Sequence, residues 1–313
     1  MISVVARRLI VAVPTLFFMS ILTFALVSFV PGDAAVSILG EHATAEQIER
    51  LRDQMRLNDP LPVQYWSWLS TLARGSLGTS VLNGEAVTSI LNARLPVTLM
   101  LVFGTIVVST LLGVGMGAYS ALRGGFQGRV VDILSFFGSA FPTFWIALLL
   151  VVIFAAELRL LPPNGYVSPD TSLLGWAASL VLPIAALSIH GLTSKAAQSR
   201  DQIKDVLGRD FVRVQVANGF SRRSIFLKHV MRSAAPVIAT TVGLVFVGLL
   251  SGAVVIEVVF ALPGMGQAVV YATMNNDIPV IQGAVVYFTV IVLAVNLAID
   301  LIYAWIDPRV RLS

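Results

Sequence analysis

Charged residues along this 313-residue chain come in clusters separated by long apolar stretches. Charge-free runs at 9 to 32, 95 to 122, 133 to 156, 171 to 194, 233 to 256 and 278 to 299 each hold 22 to 28 residues. A helix of about 20 apolar residues crosses the hydrocarbon core, and an ionised side chain at its centre costs about 2.5 to 3.5 kcal/mol, so each run predicts a transmembrane helix. A further gap, 258 to 276, is broken by Leu262-Pro263-Gly264-Met265-Gly266 and closes on Asn275-Asn276. Neither half is long enough to span, which predicts a re-entrant or surface segment.

Two polar stretches carry helical patterns of their own. Residues 33 to 94 are too polar to span; Thr44 and Gln47 there have capping-box spacing, and Ile48, Leu51 and Met55 share a helical face until Asn58-Asp59-Pro60 stops it. Trp66 and Trp68 fit either the membrane surface or a small core. The connection at 195 to 235 is far longer than the ~12 to 15 residues of an ordinary loop and contains all the lysines of the chain. It reads as helix, turn, helix: Asp201 to Val216 with apolar Ile203, Val206, Leu207, Phe211 and Val214, a turn at Asn218-Gly219, then a helix capped by Ser221. That second helix carries Phe226, Leu227, Val230 and Met231 on one face, with Arg222, Arg223, Lys228 and Arg232 around it, until Pro236 opens the fifth span. Pattern alone allows two partners for this element, an anionic lipid surface or another protein.

Composition narrows the class. The chain is 57% hydrophobic and 12% charged, with a mean hydropathy of +0.85, against the ~25% charged of a soluble domain. This argues against a soluble enzyme and excludes a disordered chain. There is no cysteine, hence no disulfide, thiolate nucleophile or cysteine metal site. The net charge of +4 and pI near 9.7 do not imply a nucleic-acid partner, because the basic residues follow the membrane topology. With six spans, 15 Lys and Arg share one side with both termini, and six lie opposite, at Arg50, Arg52, Arg56, Arg74, Arg94 and Arg159. The richer side is cytoplasmic. A seventh span would move Arg309 and Arg311 outside, against that rule. Arg7 and Arg8 precede an apolar run longer than the 7 to 15 residues of a secretory h-region, which predicts an uncleaved anchor.

Specific fragments then carry a resemblance. Asp210-Phe211-Val212-Arg213-Val214-Gln215-Val216-Ala217-Asn218-Gly219, with Arg222-Arg223, Lys228-His229 and Arg232-Ser233-Ala234-Ala235-Pro236, resembles the EAA coupling loop of ABC importer permeases. Phe29-Val30-Pro31-Gly32-Asp33, Pro60-Leu61-Pro62, Gly75-Ser76-Leu77-Gly78, Arg94-Leu95-Pro96, Phe141-Pro142-Thr143 and Leu161-Pro162-Pro163 are similar to the same family. So are Glu257-Val258-Val259-Phe260 with Ala261-Leu262-Pro263-Gly264, Asp277-Ile278-Pro279 and Asp307-Pro308-Arg309. The family is the first permease subunit of dipeptide, oligopeptide and nickel importers, of the DppB and OppB type. Gln215 and Val214 depart from its small-residue pattern.

The resemblance implies an all-α membrane protein with six transmembrane helices of the ABC importer type I permease fold and a small extracytoplasmic subdomain after the first helix. The corresponding division is a cytoplasmic N-terminus and anchor helix at 1–32, the subdomain at 33–94, a permease core at 95–306 containing the coupling loop 195–235, and a cytoplasmic tail at 307–313. It implies a prokaryotic inner-membrane location, with the termini cytoplasmic. It also implies a second homologous permease, cytoplasmic ATPase subunits, an extracytoplasmic solute-binding protein, and short peptides as cargo, with nickel, haem or other small solutes as alternatives. ATPase coupling would fall to Asp210, Phe211, Arg213, Val214, Ala217, Gly219, Arg222, Arg223 and Phe226.

The chain shows no catalytic signature. No Gly is followed by Lys, so a Walker phosphate loop is absent; no His is followed by Glu, and no Gly-x-Ser-x-Gly occurs. No cofactor is expected on the chain itself, and ATP with magnesium would be used by the partners. Gly113, Gly115 and Gly117 lie inside a span and predict close helix packing. His190, Glu257, Asn296 and Asp300 are the polar groups at membrane depth, candidates for the translocation pathway or for structural pairing. A rival class, an ion-coupled carrier, would use Glu257 and Asp300.

Overall fold

The computed structural model describes residues 2–28, 33–40 and 42–306. The tail at 307–313 and the Phe29-Val30-Pro31-Gly32 motif lie outside the described residues. Helices follow one another along the chain: α1 Ile2–Val27, α2 Ala34–Leu39, α3 Ala45–Gln54, α4 Leu61–Ala73, α5 Val87–Arg123, α6 Gly125–Ala140, α7 Thr143–Leu150, α8 Leu173–Leu207, α9 Asp210–Ala217, α10 Arg222–Ile225, α11 Met231–Val259, α12 Met265–Met274 and α13 Ile278–Ile306. Two wider, π-helical turns extend them, Val151–Glu157 after α7 and Phe226–Val230 between α10 and α11.

Among the described residues four helices are long and apolar enough to cross a bilayer, within α1, α5, α8 and α13; Thr143–Glu157 and Val245–Val259 are shorter apolar helices. The third charge-free run is not one helix. Pro142 lacks an N–H and forces the residue before it out of the helical region, so Phe141 is extended at φ −94°, ψ 136°, and the run divides into α6 and α7. The gap at 258 to 276 folds as a turn followed by α12, with Met265, Gly266, Ala268 and Ala272 buried. Apolar residues on a short helix find their partners in protein here.

Two compact units are distinguished. Among the described residues, one comprises 99–262 with 295–306, the other 2–98 with 263–294. In the first, α8 packs against α6, α7 and α11. It also packs closely on α5, because Gly113 and Gly117 present backbone to it. A Cβ on Gly117 would stand 2.5 Å from the Ala196 carbonyl oxygen, and one on Gly113 2.9 Å from that of Leu192; Gly115 has open space instead. Gly117→Ala is therefore expected to cost about 1 to 3 kcal/mol through overpacking, lowering the melting temperature in detergent, while Gly115→Ala leaves it unchanged.

In the second unit Leu77, Val87, Leu91, Met265, Val280, Ile281 and Ala284 form the core. The capping box of α3 forms as its spacing predicts: the Gln47 N–H donates to the Thr44 hydroxyl and the Thr44 N–H to the Gln47 side chain. The helix stops earlier than Asn58, at Gln54, where Arg56 turns left-handed with φ 57°. The buried Asp277 carboxylate accepts from the Ser80 hydroxyl and, at 3.2 Å, from the Val81 N–H, fastening the loop before α5 to the start of α13. Asp277→Ala strands both donors at about 1 to 3 kcal/mol each. Thermal unfolding should show the loss, with Asp277→Asn recovering part of it.

Candidate functional site

The long connection at 195 to 235 is a small folded body whose core comes from five consecutive elements. Ile203 and Val206 of α8, Val212 of α9, Ile225 of α10, Val230 of the following π turn and Ala234 of α11 are buried together, with Ala118 and Ala121 of α5 packed against them. The expected helix from Asp201 to Val216 is divided at Gly208. The Gly208 N–H closes on the Lys204 and Asp205 carbonyls, Arg209 is extended, and Asp210 starts a new helix. Glycine is a poor helix former, and the break lets Val212 join Val206 on the core side. The second helix does not end or restart at Pro236: the backbone is helical without interruption from Met231 to Val259.

The turn after α9 has the geometry that a glycine at its position imposes. The Phe220 N–H donates to the Gln215 carbonyl at 3.2 Å and the Gly219 N–H to the Val216 carbonyl at 3.0 Å, with Gly219 at φ 80°. This is a Schellman closure, which needs a left-handed residue after the helix. Nothing lies within 4 Å of where a Gly219 Cβ would stand, so the constraint is conformational, not steric. Ser221 then caps the next helix by accepting from the Ser224 N–H at 3.3 Å.

While one side of this body is buried, the other exposes apolar surface. Phe211, Val214, Val216, Phe220 and Leu227 are 37% to 57% exposed. Asp210, Arg213, Ala217, Arg222 and Arg223 are exposed beside them, and Arg213 lies 3.6 Å from Asp210. Phe226 differs from the other candidate anchors: it is half-buried on the internal core. Val216 and Phe220 were not singled out by the periodicity, because the Gly208 break and the Schellman turn re-aim the face. Beside Phe211, Lys228, His229, Arg232 and Ser233 line a basic hollow of about 530 Å³.

The intramembrane candidates occupy three helices. His190 on α8 is exposed, Glu257 on α11 is fully buried, and Asn296 on α13 is half-buried. Asp300 continues α13, and its side chain lies outside the described ones. A further polar group escapes the sequence pattern: the run of charges puts Lys195 in the loop, but it sits inside α8 and is 1% exposed. Its ammonium donates to Ser109 Oγ and Thr110 Oγ1 of α5, both at 2.8 Å.

Comparison with known proteins follows the same course along the chain. Residues 109–312 match the family described as binding-protein-dependent transport system inner membrane component, and residues 1–102 match the N-terminal region of such membrane components. A Brucella abortus protein named as a peptide transport system permease is 35% identical over 99% of each chain. The dipeptide transport system permease protein DppB of Alkalihalophilus pseudofirmus is 33% identical over 99% of this chain and all of its own. Among solved structures, the MetNI methionine ABC transporter in an inward-facing conformation superposes with a TM-score of 0.56 at 15% identity, covering 70% of this chain and 97% of the other. That likeness concerns the fold.

Proposed function

Because this chain belongs to the family of binding-protein-dependent transport system inner membrane components, we propose that it forms half of the translocation pathway of an ATP-driven importer of short peptides. The observation that carries the cargo is the end-to-end similarity to permeases named for peptide and dipeptide transport. In this reading six spans, two of them built from interrupted or shorter apolar helices, place both termini in the cytoplasm, and a second homologous permease completes the pathway. An extracytoplasmic solute-binding protein delivers the peptide. ATP and magnesium are handled by cytoplasmic ATPase subunits, and the chain itself binds no cofactor and catalyses no reaction.

The exposed face of α9 and the turn after it seats in a groove of the ATPase. Phe211, Val214 and Phe220 supply apolar anchors; Asp210, Arg213, Arg222 and Arg223 form a polar rim, an arrangement common to protein interfaces. α9 follows α8 after a single break, so movement of the ATPase is passed to the spans as a rigid-body displacement. Glu257, His190, Asn296 and Asp300 contribute to the pathway or to the pairing of its helices. Uptake of a labelled dipeptide into vesicles containing the whole complex tests the reading. Transport should require ATP and persist when a protonophore removes the proton gradient; uptake that collapses with the gradient and ignores ATP would point instead to an ion-coupled carrier working through Glu257 and Asp300.

A further inference from the structure

At the end of α1 the second unit contains a hollow of about 290 Å³, and none of the candidate site residues lines it. Its walls are mostly apolar and come from distant parts of the chain, among them Phe24, Val27, Leu57, Leu61, Trp68 and Leu77, with Gln64, Ser67 and Gln282 as polar members. Among the described residues Arg56 is the one ionisable side chain that lines it. Its backbone is left-handed, which a residue with a bulky side chain adopts only when its surroundings hold it there.

The chemistry of the walls selects among occupants. Several polar side chains in them are already engaged: Gln64 donates to the Leu57 and Asp59 carbonyls, Ser28 to Ala25 and Thr71 to Ser67. A peptide would bring backbone carbonyls that need donors, and the side-chain donors of Gln64, Ser28 and Thr71 are already spent on the chain's own carbonyls. Water gains few partners along the apolar part of the wall. An acyl chain needs no hydrogen bond. The Trp68 side chain lines the hollow, which makes its indole a reporter of what enters.

Location points the same way. α1 exposes Ile10, Val13, Phe18 and Leu26 by more than half, the surface of a helix bathed in lipid. Phe24 to Ser28 close its apolar stretch Ile10–Val27, which puts the hollow at headgroup depth when that stretch spans the bilayer. Exposed Trp66 on α4 is a residue type that favours this level. We propose that the hollow is a binding site for an anionic phospholipid, with an acyl chain between α1 and α4 and the phosphate on the Arg56 guanidinium. The inference requires that α1 lie in the membrane; it does not depend on peptide being the cargo.

The test uses the purified complex in phosphatidylcholine vesicles with increasing fractions of brominated phosphatidylglycerol, whose bromines quench nearby indoles. The Trp68 signal is obtained by difference from Trp68→Phe. It should be half-quenched at a bromolipid fraction about fivefold below that needed for the other tryptophans, the preference a single cation gives for an anionic surface. Arg56→Gln should remove the preference, and Ser67→Phe, which fills the hollow, should remove selective quenching altogether. Variants are compared only where they elute and associate with their partners as the parent does. Quenching of Trp68 in simple proportion to bulk lipid would overturn the site, as would protection of Trp68 by dipeptide or by the solute-binding protein but not by unbrominated phosphatidylglycerol. Dipeptide uptake in the same vesicles separates these outcomes from failure of the transport reading.

Discussion

Gly219→Val is expected to uncouple uptake from ATP hydrolysis while leaving the permease folded in the membrane. Gly219 has φ 80°, and its N–H and that of Phe220 close the end of α9 on the Val216 and Gln215 carbonyls. A side chain in this conformation costs about 1 to 2 kcal/mol for an ordinary residue, more for a β-branched one. The local equilibrium between the aimed and the unaimed turn then shifts about 5- to 30-fold. The open space around the glycine means that the variant relaxes locally, without pushing on the core formed by Val212, Ile225 and Val230. Dipeptide uptake should fall by about that factor, with ATP hydrolysis no longer stimulated by loaded binding protein. Gly219→Asn, which tolerates the left-handed region, should retain much of the activity. A Gly219→Val complex with wild-type uptake and assembly would show that the turn does not aim the coupling helix.

The second large effect is expected at Phe211 and Val214. Both are exposed on α9, while Val212 between them is buried, so truncating the pair removes surface for a partner and spares the internal core. Interface anchors are commonly worth about 2 kcal/mol each on truncation. With partial additivity, Phe211→Ala with Val214→Ala should weaken association with the ATPase by about a hundredfold or more, read as loss of the ATPase from the purified complex. Phe226→Ala should behave differently. That ring packs on the internal core, so its loss should lower the melting temperature before it changes association.

Local chemistry was legible in the sequence where it depended on neighbours in the chain. The capping box at Thr44 and Gln47, the Ser221 cap and the turn at Asn218-Gly219 all occur where their spacing places them. Charge-free runs located the apolar helical stretches but not their interruptions, because periodicity averages over a single residue. Pro142 divides the third run and Gly208 the coupling segment, each by a backbone effect invisible to hydrophobic spacing. Lys195 looked like a loop residue because charge marks solvent; it is accommodated inside by hydroxyls of α5, a pairing across 85 positions that no local pattern reveals. Similarly, Gly113 and Gly117 rather than Gly115 meet α8, a distinction set by helix phase and by which neighbour lies on each face. Phe220 stands exposed while Phe226 is half-buried, because the turn and the π segment rotate one face away from the other.

The most direct test is to purify the tagged chain from its native membrane in mild detergent, identify what accompanies it and assay ATP hydrolysis. The account predicts that a second permease and an ATPase are recovered with it, and that hydrolysis is lost together with the ATPase when Phe211 and Val214 are truncated. Recovery of the chain alone, intact and able to transport when reconstituted by itself, would contradict it.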